Sequence, residues 1–180
     1  MFFVLELMKN LLVTPPFLGK NLETHLFDIL QASVEGNFNE RFGYILKVTD
    51  IKNVGEGRVK DGSGDVLFPV SYQAIVFMPY RGEVLEAQVV QAMEIGFLAS
   101  VGPMSLFVTK DNIAEEYVFE MHAAPSRWVN KEDPSKVIQP DTDVRVKIIG
   151  ITVTGGEMYG VCVMSDAFLG PIQVNNALYN

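Results

Sequence analysis

Residues 53–84, NVGEGRVKDGSGDVLFPVSYQAIVFMPYRGEV, decide how the chain is organised. The first part of this stretch carries four glycines: Gly55, Gly57, Gly62 and Gly64. Glycine adopts positive φ at little cost, so these glycines predict tight turning and a projecting tip. Apolar and small residues then alternate between Val66 and Val76, which is typical of a half-buried strand. The stretch therefore predicts a long hairpin with a glycine-rich tip.

The end of that strand predicts a domain boundary. Pro79 has no amide hydrogen for a strand ladder and biases Met78 toward extended geometry. Gly82 then permits a change of direction. We expect one domain at 1–80 and a second at 81–180.

Composition supports two small folded domains. The chain has 180 residues, of which 48% are hydrophobic, so disorder is not expected. The formal net charge of −8 divides into −2 for residues 1–80 and −6 for residues 81–180. Neither half has the excess of Lys and Arg that strong nucleic-acid binding requires. Any such contact made by this chain alone is expected to be weak and salt-sensitive, and an acidic surface favours a basic protein partner.

The sequence predicts a protein of a reducing compartment. Cys162 is its one cysteine and cannot form an internal disulfide, which indicates the cytosol or the nucleus. Neither a continuous apolar run long enough to cross a bilayer nor a basic, signal-like start is present. No membrane association is expected.

The N-terminal half predicts a small α+β unit. A strand begins near Phe3 and is closed by Pro15 and Pro16. Apolar residues at helical spacing between 22 and 34 predict a helix, with Asn21 as its N-cap and Gly36 just beyond its C-terminus. Strands are expected at 42–51 and 66–77. One helix packed on a sheet is the predicted arrangement.

The C-terminal half predicts a β-barrel of the OB type. Strands are expected at 84–90, 95–101, around Phe107, at 144–148 and at 158–164, with a bend near Met93 and a turn at Gly155 and Gly156. Residues 112–139 contain two prolines and many charges, and we expect an irregular surface excursion there. Five strands with one long excursion fit an OB barrel.

None of the candidate enzymatic motifs in the sequence is complete. Gly55-x-Gly57 is followed by a predicted strand and not by the helix that a dinucleotide fold needs, and Ser63 stands where a phosphate loop has its lysine. The remaining candidates lack partners at ligand or catalytic spacing: His25, His122, Asp141 with Asp143, and Cys162. We expect no catalytic residue, no metal and no cofactor.

A series of short motifs resembles the seventh-subunit family of eukaryotic RNA polymerase II and its nuclear and archaeal relatives. The likeness runs in order along essentially the whole chain. It is carried by Glu35-Gly36, Phe42-Gly43-Tyr44, Val54-Gly55-x-Gly57, Phe68-Pro69-Val70-x-Tyr72-x-Ala74-Ile75-Val76-Phe77, Pro79-Tyr80-Arg81-Gly82-Glu83, Ile95-Gly96-Phe97, Val101-Gly102-Pro103, Val144-Arg145-Val146-Lys147-Ile148-Ile149-Gly150 and Phe168-Leu169-Gly170.

This resemblance implies a noncatalytic, nuclear polymerase subunit. Members of the family pair with a fourth-subunit partner to form a stalk, which docks on the core polymerase near the clamp, supports initiation and contacts nascent single-stranded RNA. The resemblance also implies that the N-terminal domain is a truncated RNA-recognition-like α+β fold and that the C-terminal domain is an RNA-binding OB fold.

The resemblance implies two sets of site residues. Gly55, Glu56, Gly57 and Arg58 match the tip that docks on the core polymerase. The RNA-binding candidates are Phe97, Phe107, Arg145 and Lys147. Ile95 and Leu98 stand where the family pattern has stacking aromatic residues, so both phenylalanines are open to a second interpretation as core or interface residues.

The alternative function is a free-standing single-stranded RNA-binding OB protein in translation or RNA decay. A basic surface and an intact pair of stacking rings would favour it, and the sequence has neither. The sequence leaves open which nuclear polymerase is involved. The first strand, the domain junction and residues 168–170 are candidates for the partner-facing surface.

Overall fold

A computed structural model of the chain describes residues 1–121 and 123–172. The chain divides between Pro79 and Tyr80 into two compact units. Both units are mostly β, and no helix among the described residues is long and apolar enough to cross a bilayer.

The first unit is one antiparallel sheet with a single α-helix. In chain order its elements are β1 (Phe2–Val13), a 3-10 turn (Pro15–Phe17), α1 (Leu22–Val34), β2 (Phe38–Asn39), β3 (Gly43–Val54), β4 (Arg58–Val59) and β5 (Val66–Phe77). The strand order is β1-β5-β3-β2, and β4 pairs with β5 beyond the end of β3. β1 therefore forms one edge of the sheet.

The helix closes one face of this sheet. Leu26, Leu30 and Val34 are buried in the core of the first unit. They form one stripe because residues three and four apart lie on the same face of a helix. The predicted helix is confirmed, but the Asn21 side chain makes no capping hydrogen bond. Gly36 follows the helix with φ of 78°. The likeness of this unit to an RNA-recognition fold stays a prediction.

The second unit is built on a closed five-stranded barrel. In chain order, the strands of the whole second unit are β6 (Val84–Met93), β7 (Gly96–Val101), β8 (Met104–Thr109), β9 (Tyr117–Glu120), β10 (Arg127–Asn130), β11 (Val137–Ile138), β12 (Asp143–Thr154), β13 (Glu157–Val163) and β14 (Gly170–Pro171). The barrel runs β6-β7-β8-β13-β12 and closes from β12 back to β6. Only β8 and β13 are parallel within it. The predicted barrel is confirmed.

Alternating side chains fill the barrel. Val144, Val146 and Ile148 of β12 all point inward and are fully buried. The residues between them face outward, because successive strand residues point to opposite faces. Phe97 of β7 also lies inside the barrel with no exposed surface.

The prediction of an irregular excursion at 112–139 was wrong. Strands β9, β10 and β11 form a separate antiparallel sheet in the order β11-β10-β9. Trp128 of β10 is only 2% exposed, and its indole Nε1 donates to the carbonyl of Met93 at 3.1 Å. The three strands are short and lie among prolines and charges, so periodicity alone could not show them. His122 lies outside the described residues.

Candidate functional site

The predicted docking segment, residues 55–58, leads from β3 into β4. The amide of Gly55 donates to the carbonyl of Pro69 at 2.7 Å, which holds the segment beside β5. Glu56, Gly57 and Arg58 are exposed. The chain reverses farther on, at residues 61–64, where the amide of Lys60 donates to the carbonyl of Asp65 at 2.7 Å. The end of the hairpin is therefore 61–64, and residues 55–58 lie on its side.

The reason proposed for two of the four glycines was wrong. Gly62 and Gly64 have φ of 88° and 74°, as a tight turn requires, but Gly55 and Gly57 have no positive φ. Glycine is required at these two positions because there is no room for a side chain. A Cβ on Gly55 would lie 2.7 Å from Cγ of Pro69, and one on Gly57 would lie 2.6 Å from Cε1 of Phe68. These two glycines let the segment pass close over β5.

Two opposite charges project from this segment. Glu56 and Arg58 are both exposed, and neither side chain has an ion-pair or hydrogen-bond partner among residues 1–121 and 123–172. A hydrated, unpaired charge can form an ion pair with a partner without first breaking one. The segment is thus open to contact by another molecule.

The barrel does not bring the four RNA-binding candidates together. Phe97 has no exposed surface, so a base cannot stack on it while the barrel is folded, and its alternative interpretation as a core residue is correct. Phe107 is half-buried on the outer face of β8, between Leu98 of β7 and Val161 of β13. One aromatic ring therefore remains as a stacking candidate.

The two cationic candidates are already neutralised by carboxylates. Arg145 and Lys147 both face outward from β12. The Nη2 of Arg145 lies 2.6 Å from Oε1 of Glu86, and the Nζ of Lys147 lies 3.0 Å from Oδ2 of Asp166. All four side chains are largely solvated, so each ion pair is weak and a phosphate could compete for the cation. β13 lies between these cations and Phe107.

The outer face of β7 and β8 corresponds to the surface that OB folds use for oligonucleotides. Its outward residues carry no charge: Leu98, Ser100, Ser105, Phe107 and Thr109. Such a face offers stacking and hydrogen bonds but no attraction for phosphate. The cations that follow a nucleic-acid backbone would have to come from β12 or from another protein.

The residues that the sequence offered as metal ligands or nucleophiles do not form such a site in the described structure. Residues 1–121 and 123–172 contain no group of three His, Cys, Asp or Glu placed to hold a metal ion. Cys162 is buried in β13, and burial raises the pKa of its thiol to about 12. This thiol stays protonated at neutral pH, so it is not poised as a nucleophile. The ring of His25 lies against Phe17, with centroids 5.1 Å apart.

Strand β1 exposes apolar side chains on one face. The sequence indicated the first strand as a candidate surface but did not show which of its residues are exposed. The odd-numbered residues of β1 face the helix, whereas Phe2, Val4, Met8 and Leu12 point to the opposite face and are exposed. Val4 is 59% exposed and Met8 is 76% exposed. The sequence signal is FFVLELMKNLLV, which is apolar at four of its six even positions and at five of its six odd positions. A strand with one solvated face normally alternates with polar residues, so this pattern indicates a face meant to be covered.

Two family models match the chain. Residues 9–64 match the model described as SHS2 domain found in N terminus of Rpb7p/Rpc25p/MJ0397. Residues 79–160 match the S1 RNA binding domain. The two matches fall on the two structural units.

The chain is similar along nearly its whole length to curated polymerase subunits. It is 40% identical to DNA-directed RNA polymerase II subunit RPB7 of Glycine max, over 96% of this chain and 97% of that protein. Identity to DNA-directed RNA polymerase II subunit 7 of Arabidopsis thaliana is 39%, with the same coverage of both chains. The chain is also 34% identical to DNA-directed RNA polymerase II subunit RPB7 of Saccharomyces cerevisiae, over 96% of this chain and all of that protein.

Proposed function

Because the chain belongs to the RNA polymerase II subunit 7 family, we propose that it is a noncatalytic subunit of DNA-directed RNA polymerase II, acting in the nucleus. The observation that carries the proposal is the similarity at 34–40% identity from end to end, across both structural units. A shared fold alone would not support a shared function. Here the similarity covers 96% of the chain, and nearly all of each relative.

Within the polymerase, the subunit pairs with a fourth-subunit partner and forms a stalk beside the core. The exposed side chains of Phe2, Val4, Met8 and Leu12 on β1 support an obligate partner, since large exposed apolar patches are uncommon on monomeric proteins. The acidic net charge of −8 favours a partner with a basic surface.

Residues 55–58 dock on the core polymerase near the clamp. The exposed, unpaired charges of Glu56 and Arg58 support this role, as does the close passage of the glycine backbone over β5. A segment that is held by the Gly55 hydrogen bond to Pro69 loses little conformational entropy on docking.

Replacing Arg58 with Glu is expected to lower the recovery of core polymerase subunits with the tagged chain by about tenfold, as for a charge at an interface hot spot. Folding should be unaffected, because the guanidinium is exposed and has no partner in the described structure. Lys60→Glu makes the same change of charge two residues away and serves as the control. Equal losses in both variants would assign the effect to net charge and not to the docking segment, and full recovery with Arg58→Glu would reject the docking role.

Nascent RNA is contacted by the second unit, weakly when the chain is alone. The match of residues 79–160 to an S1 RNA binding domain supports this, and Phe107 is the predicted stacking ring that the barrel leaves partly exposed. Arg145 and Lys147 can follow the phosphates once Glu86 and Asp166 are displaced. This need for displacement argues against a free-standing RNA-binding protein, which needs strong affinity of its own.

Phe107→Ala is expected to weaken binding of a single-stranded oligouridine by about 5- to 150-fold, because stacking contributes roughly 1–3 kcal/mol per base. Binding is measured by fluorescence anisotropy of the labelled RNA with the co-purified complex at low salt. Phe168→Ala removes another exposed ring of the same unit and should leave the affinity unchanged. If Phe107→Ala also leaves it unchanged, the RNA face lies elsewhere on the barrel or the subunit does not bind RNA.

The whole proposal is tested by affinity purification of the tagged chain from its native cells, with the co-purifying proteins identified by mass spectrometry. Recovery of a fourth-subunit partner together with the large subunits of one polymerase would support the proposal and identify that polymerase. Recovery of ribosomal or RNA-decay proteins alone would contradict it and favour the free RNA-binding alternative.

A further inference from the structure

We propose that Thr14 is a phosphorylation site for a proline-directed serine/threonine kinase, and that its phosphate pairs with Arg58 and weakens docking on the core polymerase. The site and the pairing rest on the sequence and the geometry of the first unit. The effect on docking rests on the proposed function, in which residues 55–58 dock.

Thr14 is the one serine or threonine of the sequence that is followed directly by proline. A kinase of this class selects its acceptor by that proline. Pro15 has no amide hydrogen and biases the residue before it toward extended geometry. Thr14 has this geometry, with φ of −78° and ψ of 152°. Its backbone is therefore already in the extended form in which a kinase cleft binds its substrate.

The segment around Thr14 is accessible. Every residue from 14 to 20 is exposed, and the Thr14 hydroxyl makes no capping hydrogen bond to the 3-10 turn that follows it. The turn is held by main-chain hydrogen bonds from Phe17 to Thr14 at 3.0 Å and from Leu18 to Pro15 at 3.1 Å. Opening the turn breaks these two bonds but uncovers no buried residue of the turn, so we expect it to cost little.

The reaction transfers the γ-phosphoryl group of ATP, which is the co-reactant of the kinase. The bond between the γ-phosphorus and the β,γ-bridging oxygen breaks, and a bond to Oγ1 of Thr14 forms. The hydroxyl proton passes to the catalytic carboxylate of the kinase, and ADP leaves. The product carries a phosphate with a charge of about −1.5 to −2 at neutral pH.

Strand register places Thr14 on the same face of the sheet as Arg58. Leu12 of β1 and Arg58 of β4 are both directly opposite Leu67 of β5, so their side chains share a face. Thr14 follows Leu12 by two residues, and its extended backbone returns its side chain to that face. Strand spacing and rise put the Cα atoms of Thr14 and Arg58 about 12 Å apart, a gap that an extended arginine and a phosphothreonine can span together.

The adjacent row on this face contains Thr14, Asp65 and Lys60. Each lies one residue beyond the last pair of the β1–β5 and β4–β5 ladders. The amide of Lys60 donates to the carbonyl of Asp65 at 2.7 Å, and a Cβ on Gly64 would lie 3.6 Å from Cγ of Pro15. The end of β1 therefore lies beside the end of the hairpin.

A phosphate on Thr14 would recruit Arg58. The Arg58 guanidinium is exposed and has no ion-pair or hydrogen-bond partner among residues 1–121 and 123–172. Guanidinium binds phosphate through two parallel hydrogen bonds. Lys60 adds a second cation to this face, whereas the carboxylate of Asp65 opposes the pairing. Once it is paired, Arg58 is neutralised and turned toward β1, so phosphorylation should act on docking as Arg58→Glu does.

Mass spectrometry tests the site. The full-length chain, purified with any partner that it recovers, is incubated with ATP and a recombinant cyclin-dependent kinase. Trypsin cleaves after Lys9 and Lys20, and Thr14 is the one hydroxyl residue in the peptide between them. We expect that peptide to gain one phosphate, and Pro15→Ala to slow the reaction by about tenfold or more, because the class selects for this proline. No phosphate on the peptide from the folded chain would overturn the proposal.

Phosphorus NMR tests the pairing through the second pKa of the phosphate. A nearby cation stabilises the dianion, so Arg58→Gln should raise this pKa by about 0.5 relative to the phosphorylated wild type. Lys60 and Asp65 are the same in both proteins. Lys52→Gln removes a cation from β3 and should leave the pKa unchanged. An unchanged pKa in Arg58→Gln would show that the phosphate does not pair with Arg58.

Recovery of core polymerase, purified without its stalk subunits, tests the effect on docking. The phosphorylated chain is expected to recover about tenfold less core than the untreated chain, as for the loss of a charge at an interface hot spot. Kinase-treated Thr14→Val should recover as much as untreated wild type. In Arg58→Gln, phosphorylation should change recovery by less than about twofold, because two changes that act through one group are not additive.

The outcomes separate this inference from the proposed function. If the unphosphorylated chain recovers no core polymerase, the proposed function fails and the effect on docking fails with it. The peptide mass and the phosphate pKa then still decide the site and its pairing. If the phosphorylated and unphosphorylated chains recover equal amounts of core, the proposed function stands and the effect of phosphorylation on docking is overturned.

Discussion

Gly96→Ala is expected to destabilise the barrel by about 3 kcal/mol or more, since backbone strain and overpacking each cost roughly 1–3 kcal/mol. Gly96 begins β7 with φ of 143°, a conformation that residues with a side chain rarely adopt. A Cβ at this position would collide with the carbonyl oxygen of Val108 and lie 3.0 Å from Cα of Thr109. These are main-chain atoms of β8, paired with β7 in the ladder, and they cannot move aside as a flexible side chain would.

Equilibrium unfolding in urea measures this loss. Trp128 is the one tryptophan of the sequence and lies in the second unit, so its fluorescence reports that unit. Gly102→Ala is the matched control: its φ is 54°, but nothing lies within 4 Å of a Cβ there. The control should cost only about 1 kcal/mol, which is the strain of the left-handed region. Equal costs at the two positions would show that the collision with β8 contributes nothing.

Periodicity predicted those elements whose residues contact a single well-defined core. The stripe of Leu26, Leu30 and Val34 specified the helix, and the inward Val144, Val146 and Ile148 specified β12. Both patterns are local, because the spacing of apolar residues depends on the element alone. The number of barrel strands followed from counting such segments.

Positions whose role depends on a distant strand could not be predicted. Gly55 and Gly57 resemble turn glycines in sequence, yet they are glycine because Pro69 and Phe68 of β5 lie directly against them. The ion pair between Arg145 and Glu86 depends in the same way on the pairing of β12 with β6. Contacts between residues so far apart in sequence are set by register, which one sequence does not display.

For the two phenylalanine candidates, the alternation of inward and outward residues could not be followed from the sequence. The alternation that would assign Phe97 to the inside is interrupted by the unusual backbone of Gly96, immediately before it. Phe107 lies on the outside because it is opposite Leu98, itself an outward residue. Sequence alone therefore leaves each ring open to either face, and of the two predicted rings the proposed RNA contact keeps Phe107.

Trp128→Ala is expected to destabilise the second unit by about 3–5 kcal/mol, the usual cost of truncating a buried large aromatic residue. The Trp128 ring is 2% exposed and packs against Phe119 with centroids 5.3 Å apart. Its strand pairs with β9 on one side and β11 on the other, and its indole reaches Met93 at the end of β6. One side chain thus ties the inserted sheet to the barrel.

Far-ultraviolet circular dichroism in urea measures this change, because the variant lacks the fluorescent residue. Trp128→Phe keeps an aromatic ring but loses the hydrogen bond to Met93, and should cost about 1–2 kcal/mol, the usual range for one hydrogen bond and some lost packing. If Trp128→Ala costs no more than Trp128→Phe, the ring contributes little and the hydrogen bond alone anchors the sheet. We expect Trp128→Ala to be much less stable than Trp128→Phe. This order would establish that the inserted sheet shares the hydrophobic core of the barrel. Residues 112–139 would then be part of the domain and not a loop attached to it.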